Sequence, residues 1–285
     1  MKKLKEEIRR KLNKEVNLGF EIIGDIAIIE DMSNNLTNED LQKISEIIRS
    51  YNPNVNVVAL KMEDVGGIYR TARHKIIKVW NREDFLKELP KTYRDLTEKE
   101  TLHKEHGVRV LLNIDTVYFS SKLGYERKRI EKMVRDGERI FLPFAGVGIY
   151  ALVIAKKKQV EIDAVEINPY ACEYMRKNIE INKIRGKISV FCMDVKLFLE
   201  NKDILNYDRI IMPAPKDAPS FLEEIVIKSK KDTWIHYYFF ADKEEISKEN
   251  IERKFSHLPI RILGFRKAGS IGTNKYRVAV DAVRV

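Results

Sequence analysis

The sequence predicts an α/β protein, with a Rossmann-like, doubly wound sheet in its C-terminal part and a smaller α+β domain before it. Residues 139–169 have the pattern of a strand, a glycine turn, a helix and a second strand. Short apolar runs continue to alternate with helical patterns from there to the C-terminus, as in sheets with helices on both faces. Residues 1–117 lack this alternation. We therefore predict an N-terminal domain at 1–117 and a Rossmann-like domain at 118–285.

The N-terminal part begins with an amphipathic helix pattern over residues 2–16, with a basic outer face. An apolar run over residues 20–29 follows and is interrupted at Gly24-Asp25, which indicates a strand that breaks or turns there. Thr37 and Asp40 have the spacing of a capping box, so a helix is expected after them. Further predicted elements are strands at 55–60 and 75–80, a short helix near residue 85, and a hairpin over 101–114 that turns at His106-Gly107.

The C-terminal part is predicted from alternating patterns. A helix starting at Glu126 leads into the strand before the glycine turn, and Asn168 with Pro169 is a good start for the helix after the second strand, because asparagine caps and proline fits the first helical position. Further strands are predicted at 188–193, 209–212, 234–239, 260–265 and 276–285. The last two have no helix between them, so they must be antiparallel.

The glycine turn predicts a nucleoside-binding site. Gly146 and Gly148 lack the Cβ that would keep a ligand off the backbone, and the helix after them presents unpaired N–H groups. Glu166 lies about twenty residues further on, where a carboxylate at a strand tip accepts hydrogen bonds from ribose hydroxyls. Ala151 stands at the third glycine position, where alanine is allowed, so the spacing does not exclude a dinucleotide.

Two other predicted strand ends support the same site. Asp194 ends the third strand of this domain, and Pro213-Ala214-Pro215 follows the fourth. Ligands of such sheets bind at the carboxyl ends of the strands, so these positions should share one edge with the glycine turn.

Composition limits the partners. Lys and Arg total 53 against 43 Asp and Glu, a net charge of +10, which favours a polyanionic partner unless the source proteome is simply rich in lysine. Cys172 and Cys192 are the only cysteines and the five histidines lack ligand-like spacing, so we expect no disulfide framework and no metal. No apolar run reaches the roughly 18 residues of a membrane span. We expect a cytoplasmic protein without membrane contact, and a monomer as the working assumption.

Several segments together resemble the archaeal and eukaryotic tRNA (guanine-37-N1)-methyltransferase family. The resemblance covers most of the chain and implies a class I methyltransferase fold, S-adenosyl-L-methionine as methyl donor, and transfer to N1 of guanosine 37 in a tRNA held at its anticodon stem-loop. The segments are His103 to Gly107, Tyr118 to Arg127, Phe144 to Gly148, Glu166 to Pro169, Asp194-Val195 and Ile235 to Tyr238.

The resemblance also implies residue roles. Guanine N1 must lose a proton as it is methylated, and Glu126 matches the family's general base; on its own it is typical of a solvated glutamate in a first helical turn. Arg70 matches the arginine that stabilises charge on guanine O6, with a phosphate contact or a solvated side chain as the alternative. The implied cofactor contacts are Tyr118, Phe144, Gly146, Gly148, Glu166, Ile167, Asp194 and Pro213, and the implied substrate contacts are Lys122, Arg127 and Pro215.

Three of these roles have simpler alternatives. Tyr118 stands at a strand end, where tyrosines often only pack, and Lys122 and Arg127 have the pattern of exposed charges on a helix. His236, inside an aromatic strand, is predicted to be a hydrogen-bonded core histidine.

Three positions depart from the family pattern. Leu142-Pro143 replaces an acid before the glycine turn, and Ser121-Lys122 replaces a proline and an arginine. Pro213 replaces the asparagine that starts the loop after the fourth strand, and proline has no N–H with which to read a guanine edge. The alternatives are therefore a bifunctional enzyme that also methylates C7 of 4-demethylwyosine at position 37 of phenylalanine tRNA, an aminocarboxypropyl transferase of the wyosine pathway, an RNA-binding protein without cofactor, and a small-molecule methyltransferase.

Overall fold

The computed structural model describes residues 2–202, 204–213, 219–272 and 274–285. They belong to two compact units, Met1–Glu105 with Arg109–Ser121, and His106–Val108 with Lys122–Val285. The functional boundary between residues 117 and 118 stays a prediction. Across the described ranges, no helix has the length and apolar character needed to cross a membrane.

The first unit contains a four-stranded sheet with two longer helices. Its elements are α1 (Lys2–Leu12), β1 (Leu18–Ile23), β2 (Ile26–Asp31), α2 (Asn38–Tyr51), β3 (Val57–Lys61), β4 (His74–Val79), α3 (Glu83–Lys87), β5 (Glu100–Glu105) and β6 (Val108–Asn113). The sheet has the order β1-β2-β3-β4, with β2 and β3 parallel, while β5 and β6 form a separate pair. Leu41, Ile44 and Ile48 of α2 are buried in the core of this unit, as the periodicity predicts.

Local sequence signals explain where these elements begin and end. The predicted capping box is confirmed, since Thr37 Oγ1 accepts the N–H of Asp40 at 3.1 Å and the Asp40 carboxylate accepts the N–H of Thr37 at 2.9 Å. The apolar run over 20–29 is two antiparallel strands that turn at Gly24-Asp25. The first helix ends at Leu12 rather than at residue 16, because Asn13 adopts a left-handed backbone with φ 50°.

The second unit is a seven-stranded sheet with interleaved helices, which confirms the predicted fold class. Its elements are α4 (Gly124–Met133), β7 (Arg139–Pro143), α5 (Ile149–Lys157), β8 (Glu161–Glu166), α6 (Pro169–Ile181), β9 (Lys187–Cys192), α7 (Val195–Asn201), β10 (Arg209–Met212), α8 (Pro219–Lys228), β11 (Trp234–Asp242), α9 (Lys248–Phe255), β12 (Ile260–Ser270) and β13 (Lys275–Arg284). The strand order is β12-β13-β11-β10-β7-β8-β9. Strands β7 to β11 are parallel, and the final pair is antiparallel as predicted.

The strand order determines where a ligand can bind. From β7 the chain moves outward through β8 to β9, then returns to place β10 on the other side of β7. The connections that leave β7 and those that lead on from β10 therefore run in opposite directions across the sheet. In an open α/β sheet, the ligand crevice lies at the carboxyl ends of the two strands where this reversal occurs. The glycine turn follows β7 and Pro213 follows β10, so both lie at this reversal.

Candidate active site

The turn between β7 and α5 has an unusual backbone. Phe144, Gly146 and Gly148 all have left-handed conformations, with φ of 59°, 57° and 82°. At Gly148 a Cβ would lie 2.5 Å from Cγ of Met175 in α6, so glycine is needed there for helix packing as well as for the backbone angle. The Phe144 ring, half-buried, meets Phe221 edge-on at 5.4 Å. The turn is therefore set both by its dihedral angles and by its neighbours.

Glu166 joins this turn to the next helix. Its Oε2 accepts the N–H of Gly146 at 2.7 Å and its Oε1 accepts the N–H of Asn168 at 2.9 Å. Asn168 in turn caps α6 by accepting the N–H of Tyr170 at 3.0 Å, as predicted. Hydrogen bonds from N–H groups to a carboxylate are stronger than neutral ones, so Glu166 holds the glycine turn beside the tip of β8. Ile167, between Glu166 and the cap, is half-buried.

The other predicted cofactor contacts of this unit lie at strand ends too. Asp194 follows β9 and caps α7, with Oδ1 accepting the N–H of Lys196 at 2.7 Å. Pro213 directly follows β10 and is half-buried. Pro215, the third predicted substrate contact, lies outside the described residues. The structure therefore brings Gly146 and Glu166 into direct contact. It places Asp194 at the end of β9, which neighbours β8, and Pro213 at the end of β10, which neighbours β7.

Glu126 is buried in the second unit. Its side chain on α4 is only 3% exposed, so the interpretation as a solvated glutamate is wrong. Nε of Arg129 lies 3.0 Å from both carboxylate oxygens, and the hydroxyl of Tyr238 donates to Oε1 at 2.8 Å. A buried carboxylate is tolerable only when paired and hydrogen-bonded, and Arg129 and Tyr238 meet that requirement.

A chain of buried polar groups continues from Arg129. Its Nη1 and Nη2 donate to Asp281 Oδ2 and Oδ1 at 2.8 and 3.0 Å, and Asp281 Oδ1 lies 2.7 Å from Nδ1 of His236. Nε2 of His236 lies 2.6 Å from Nη1 of Arg209. An arginine can only donate, so Nε2 must accept, and the proton of the neutral imidazole must be on Nδ1. His236 is thus a hydrogen-bonded core histidine, as predicted.

Burial and neighbouring charges have opposite effects on the pKa values of His236 and Asp281. Burial lowers the pKa of His236, more than its bond to Asp281 raises it, which agrees with a neutral ring. Burial alone would raise the pKa of Asp281, but His236 and Arg129 outweigh it and hold the pKa at about 2. Asp281 is therefore an anion at neutral pH.

Sequence reasoning missed Arg129, Tyr238 and Asp281 as partners of Glu126. One signal was present, because His236 and Tyr238 are two residues apart on a strand and so face the same side of the sheet. The position of Asp281 directly opposite His236 had no such signal, because it depends on the pairing register of β11 with β13.

The remaining predicted residues have different environments. In the first unit, the guanidinium carbon of Arg70 lies 4.9 Å from the ring centroid of Tyr118, and Arg70 has a left-handed backbone with φ 52°. In the second unit, Arg127 is buried with its guanidinium carbon 6.0 Å from the ring centroid of Tyr150, so the interpretation as an exposed charge is wrong for Arg127. Lys122 is exposed. Tyr118 thus contacts a second predicted site residue, Arg70.

Two family descriptions match this chain. Residues 101–261 match the TRM5/TYW2 methyltransferase domain, and residues 1–78 match the TYW2 N-terminal domain. The first match includes the glycine turn, Glu126, Glu166 and Asp194, whereas β13 with Asp281 lies beyond it.

Three of the similar proteins come from archaea. Trm5b of Pyrococcus abyssi, a tRNA (guanine(37)-N(1))-methyltransferase, is 31% identical over 96% of this chain and 77% of its own length. Taw21 of Saccharolobus solfataricus, a tRNA 4-demethylwyosine(37)-methyltransferase, is 31% identical over 92% of both chains. Taw22 of Nanoarchaeum equitans, named for both activities, is 29% identical over 93% of this chain and 99% of its own.

Solved structures agree with the sequence relatives. The crystal structure of Pyrococcus abyssi Trm5b has a TM-score of 0.74 at 31% identity, over 93% of this chain and 74% of that one. The complex of aTrm5 with tRNALeu has a TM-score of 0.79 at 26% identity, over 99% of this chain and 78% of that one. From the domain match and these relatives, the chain belongs to the TRM5/TYW2 methyltransferase family.

Proposed function

We propose that this chain is an S-adenosyl-L-methionine-dependent methyltransferase that methylates N1 of guanosine at position 37 of tRNA. The observation that carries the proposal is the contact of Glu166 with the glycine turn, at the reversal of strand order and inside the region that matches the methyltransferase domain. The position methylated rests on the relatives, because two of the proteins compared above carry guanine-37-N1 activity in their names.

The residues present fit the cofactor. Two backbone N–H groups hold the Glu166 carboxylate at the tip of β8, the position at which a carboxylate accepts hydrogen bonds from ribose hydroxyls in such sheets. Gly146 has no Cβ to keep a ligand off the backbone of the turn, while Gly148 gives room to Met175. When bound, the cofactor supplies a methyl group on a sulfonium leaving group, so the protein needs no covalent nucleophile. We propose that Phe144, Gly146, Gly148, Glu166, Ile167, Asp194 and Pro213 contact it; for Tyr118 the role stays a prediction.

The chain's own chemical task is removal of the N1 proton. Glu126 is the candidate base, with Arg129 compensating its negative charge inside the protein. Arg70 is the candidate for stabilising charge on guanine O6, and this role rests on the resemblance alone. Both roles are proposals.

The same proposal covers the contact with tRNA. The net charge of +10 favours a polyanion, and the exposed Lys122 is better suited to a phosphate than the buried Arg127. We assign the anticodon stem-loop contact to the N-terminal domain and expect a cytoplasmic monomer. The measurement is tRNA affinity as a function of salt, which should fall steeply for the intact protein.

Methylation of 4-demethylwyosine is a second candidate function. Pro213 has no N–H with which to read a guanine edge, so the base site discriminates less strictly against a larger tricyclic base. Taw21 and Taw22 both carry 4-demethylwyosine in their names and match this chain over more than nine tenths of its length. In a bifunctional enzyme, methylation of 4-demethylwyosine accompanies methylation of guanosine; in an enzyme with one activity, it replaces it.

Nucleoside mass spectrometry separates these outcomes. The protein and S-adenosyl-L-methionine are incubated with phenylalanine tRNA that carries either guanosine or 4-demethylwyosine at position 37. We expect 1-methylguanosine from the first tRNA. A methyl group on both bases indicates a bifunctional enzyme, and one on 4-demethylwyosine alone overturns the primary proposal. An added aminocarboxypropyl group, or no product despite calorimetric binding of the cofactor, overturns both methylation proposals.

A further inference from the structure

The two oxygens of the Glu126 carboxylate are in different environments. Oε1 accepts from the Tyr238 hydroxyl at 2.8 Å, from Arg129 Nε at 3.0 Å, and also from Arg129 Nη2. Oε2 accepts only from Arg129 Nε, at 3.0 Å, within the part of the chain that the structure describes. A carboxylate oxygen has about two lone-pair sites. The sites of Oε1 are occupied, whereas Oε2 keeps one for a further donor.

Asp281 keeps Arg129 in the orientation that produces this difference. Nη1 and Nη2 of Arg129 both bond to the Asp281 carboxylate, so the guanidinium is held at both ends and cannot turn to give Oε2 a second N–H. Asp281 is itself fixed by His236, directly opposite on β11, and by Arg266 at 2.9 Å. The arrangement is therefore rigid at each bond that determines which oxygen is available.

From these contacts we infer that Oε2 of Glu126 accepts the proton, and that Tyr238 and Asp281 are positioning residues that keep it available; this inference rests on the proposed function. The proton passes from guanine N1 to Oε2, while the N–H bonding pair stays on N1 and forms the new bond to the methyl carbon. The pair of the broken carbon–sulfur bond leaves with the sulfur. Charge and atoms balance without any further reactant.

Among the described residues near Glu126, no other group offers an equivalent acceptor. Arginines are donors, the pKa of Tyr150 is raised to about 12 by burial, and burial also raises that of Tyr238, so neither phenol is a base at neutral pH. His236 uses both ring nitrogens in the buried chain. Among the described residues, the titratable and charged groups around this site are Arg127 and Arg129 of α4, Tyr150 of α5, Arg209 of β10, His236 and Tyr238 of β11, Arg266 of β12, and Arg277 and Asp281 of β13.

The test removes only the hydroxyl of Tyr238. Tyr238→Phe removes one of the three donors to Oε1, a hydrogen bond that favours the charged carboxylate. We expect the single-turnover rate to fall roughly tenfold, in line with the loss of one hydrogen bond to a charged group. The acid limb of the pH–rate profile should move up by about one unit, with unchanged binding of tRNA and cofactor.

Tyr237→Phe is the matched control. Tyr237 is the next residue on β11, is equally buried, and faces the opposite side of the sheet, where it stacks on Phe239. Its variant should keep the wild-type rate and pH profile. Asp281→Asn is a second test of positioning and should also slow the step. Urea unfolding of every variant shows that folded protein is being compared.

A double-mutant cycle separates the failure of this inference from the failure of the proposed function. Tyr238→Phe should have no further effect on rate in a Glu126→Gln background, because its influence passes through Glu126. If Glu126→Gln is slow but Tyr238→Phe changes only stability and not the pH profile, the positioning role is wrong and the proposed base stands. If Glu126→Gln keeps the full rate, the base assignment and the positioning role fail together while the proposed methyltransferase function stands; absence of methylation by the wild type overturns the proposed function itself.

Discussion

Two carboxylates of the second unit are held in opposite ways. Glu166 is held by backbone N–H groups, and its bond to Gly146 spans 20 residues of sequence. Glu126 is held by side chains, and its bond to Tyr238 spans 112 residues. A backbone-held group depends on the shape of a loop, whereas a side-chain-held group depends on every partner in its network. The comparison indicates that the proposed cofactor site is encoded locally, whereas the surroundings of the proposed base are assembled from distant strands.

The largest effect is expected on the rate of methyl transfer when Glu126 is replaced, and it tests the role of Glu126 separately from that of Glu166. Glu126→Gln removes the proposed base, so we expect the single-turnover rate to fall about 10²- to 10⁴-fold, the range typical of general-base catalysis. Affinity for S-adenosyl-L-methionine, measured by calorimetry, should stay unchanged. The matched control is Glu131→Gln, because Glu131 is a buried glutamate on the same helix whose partner is Lys128. Full activity in Glu126→Gln would remove Glu126 from the mechanism.

The second prediction is that substitution of Glu166 weakens cofactor affinity more than it lowers the rate, the reverse of the result expected at Glu126. Glu166→Gln replaces a charged acceptor with a neutral one at the proposed ribose contact, so cofactor affinity should weaken about 10- to 100-fold. At saturating cofactor most of the rate should return. Glu161→Gln, at the other, exposed end of β8, serves as control and should bind normally. An unchanged dissociation constant for Glu166→Gln would leave Glu166 with only the structural role of holding the glycine turn.

The sequence predicted one of these sites much better than the other. The position of Glu166 at the same sheet edge as the glycine turn follows from motif spacing, and the cap at Asn168 follows from residue type; both are local rules. No local rule pairs Arg129 with Asp281, since they are 152 residues apart and meet only once β13 has inserted next to β11. The antiparallel final pair was predictable, but the register that places Asp281 opposite His236 was not.

The fold also has features that local sequence patterns predicted and features that they did not. Strand positions and the sheet class followed from apolar runs, whereas the early end of α1 depended on the left-handed backbone at Asn13. The periodicity of that helix continues to residue 16, so the pattern alone overestimated its length. Arg127 shows the same limit, because a charge pattern does not reveal that the guanidinium is buried against Tyr150.

The third prediction tests the network around Glu126 through acid stability. The pKa of Asp281 is about 2, below its ordinary value of 3.8, so the folded state favours its anion. That stabilisation is complete above about pH 4 and is lost as pH falls through 2, which should remove about 2 kcal/mol from the free energy of unfolding. Urea unfolding across this range should show the loss in the wild type and a flatter profile in Asp281→Asn. Equal profiles in the wild type and in Asp281→Asn would show that the Asp281 carboxylate does not provide this stabilisation.

The smallest expected effect lies at the cofactor edge. Asp194 caps α7 through Oδ1, and asparagine caps as well as aspartate, so Asp194→Asn should change stability by only a few tenths of a kcal/mol. If Asp194 also accepts the adenine amino group, loss of its charge should weaken cofactor affinity about fivefold, since a charge-assisted hydrogen bond becomes a neutral one. Asp194→Ala removes both functions and should lower stability by about 1 kcal/mol as well. Calorimetry on the asparagine variant distinguishes the roles, because unchanged affinity would mean that Asp194 serves the helix alone.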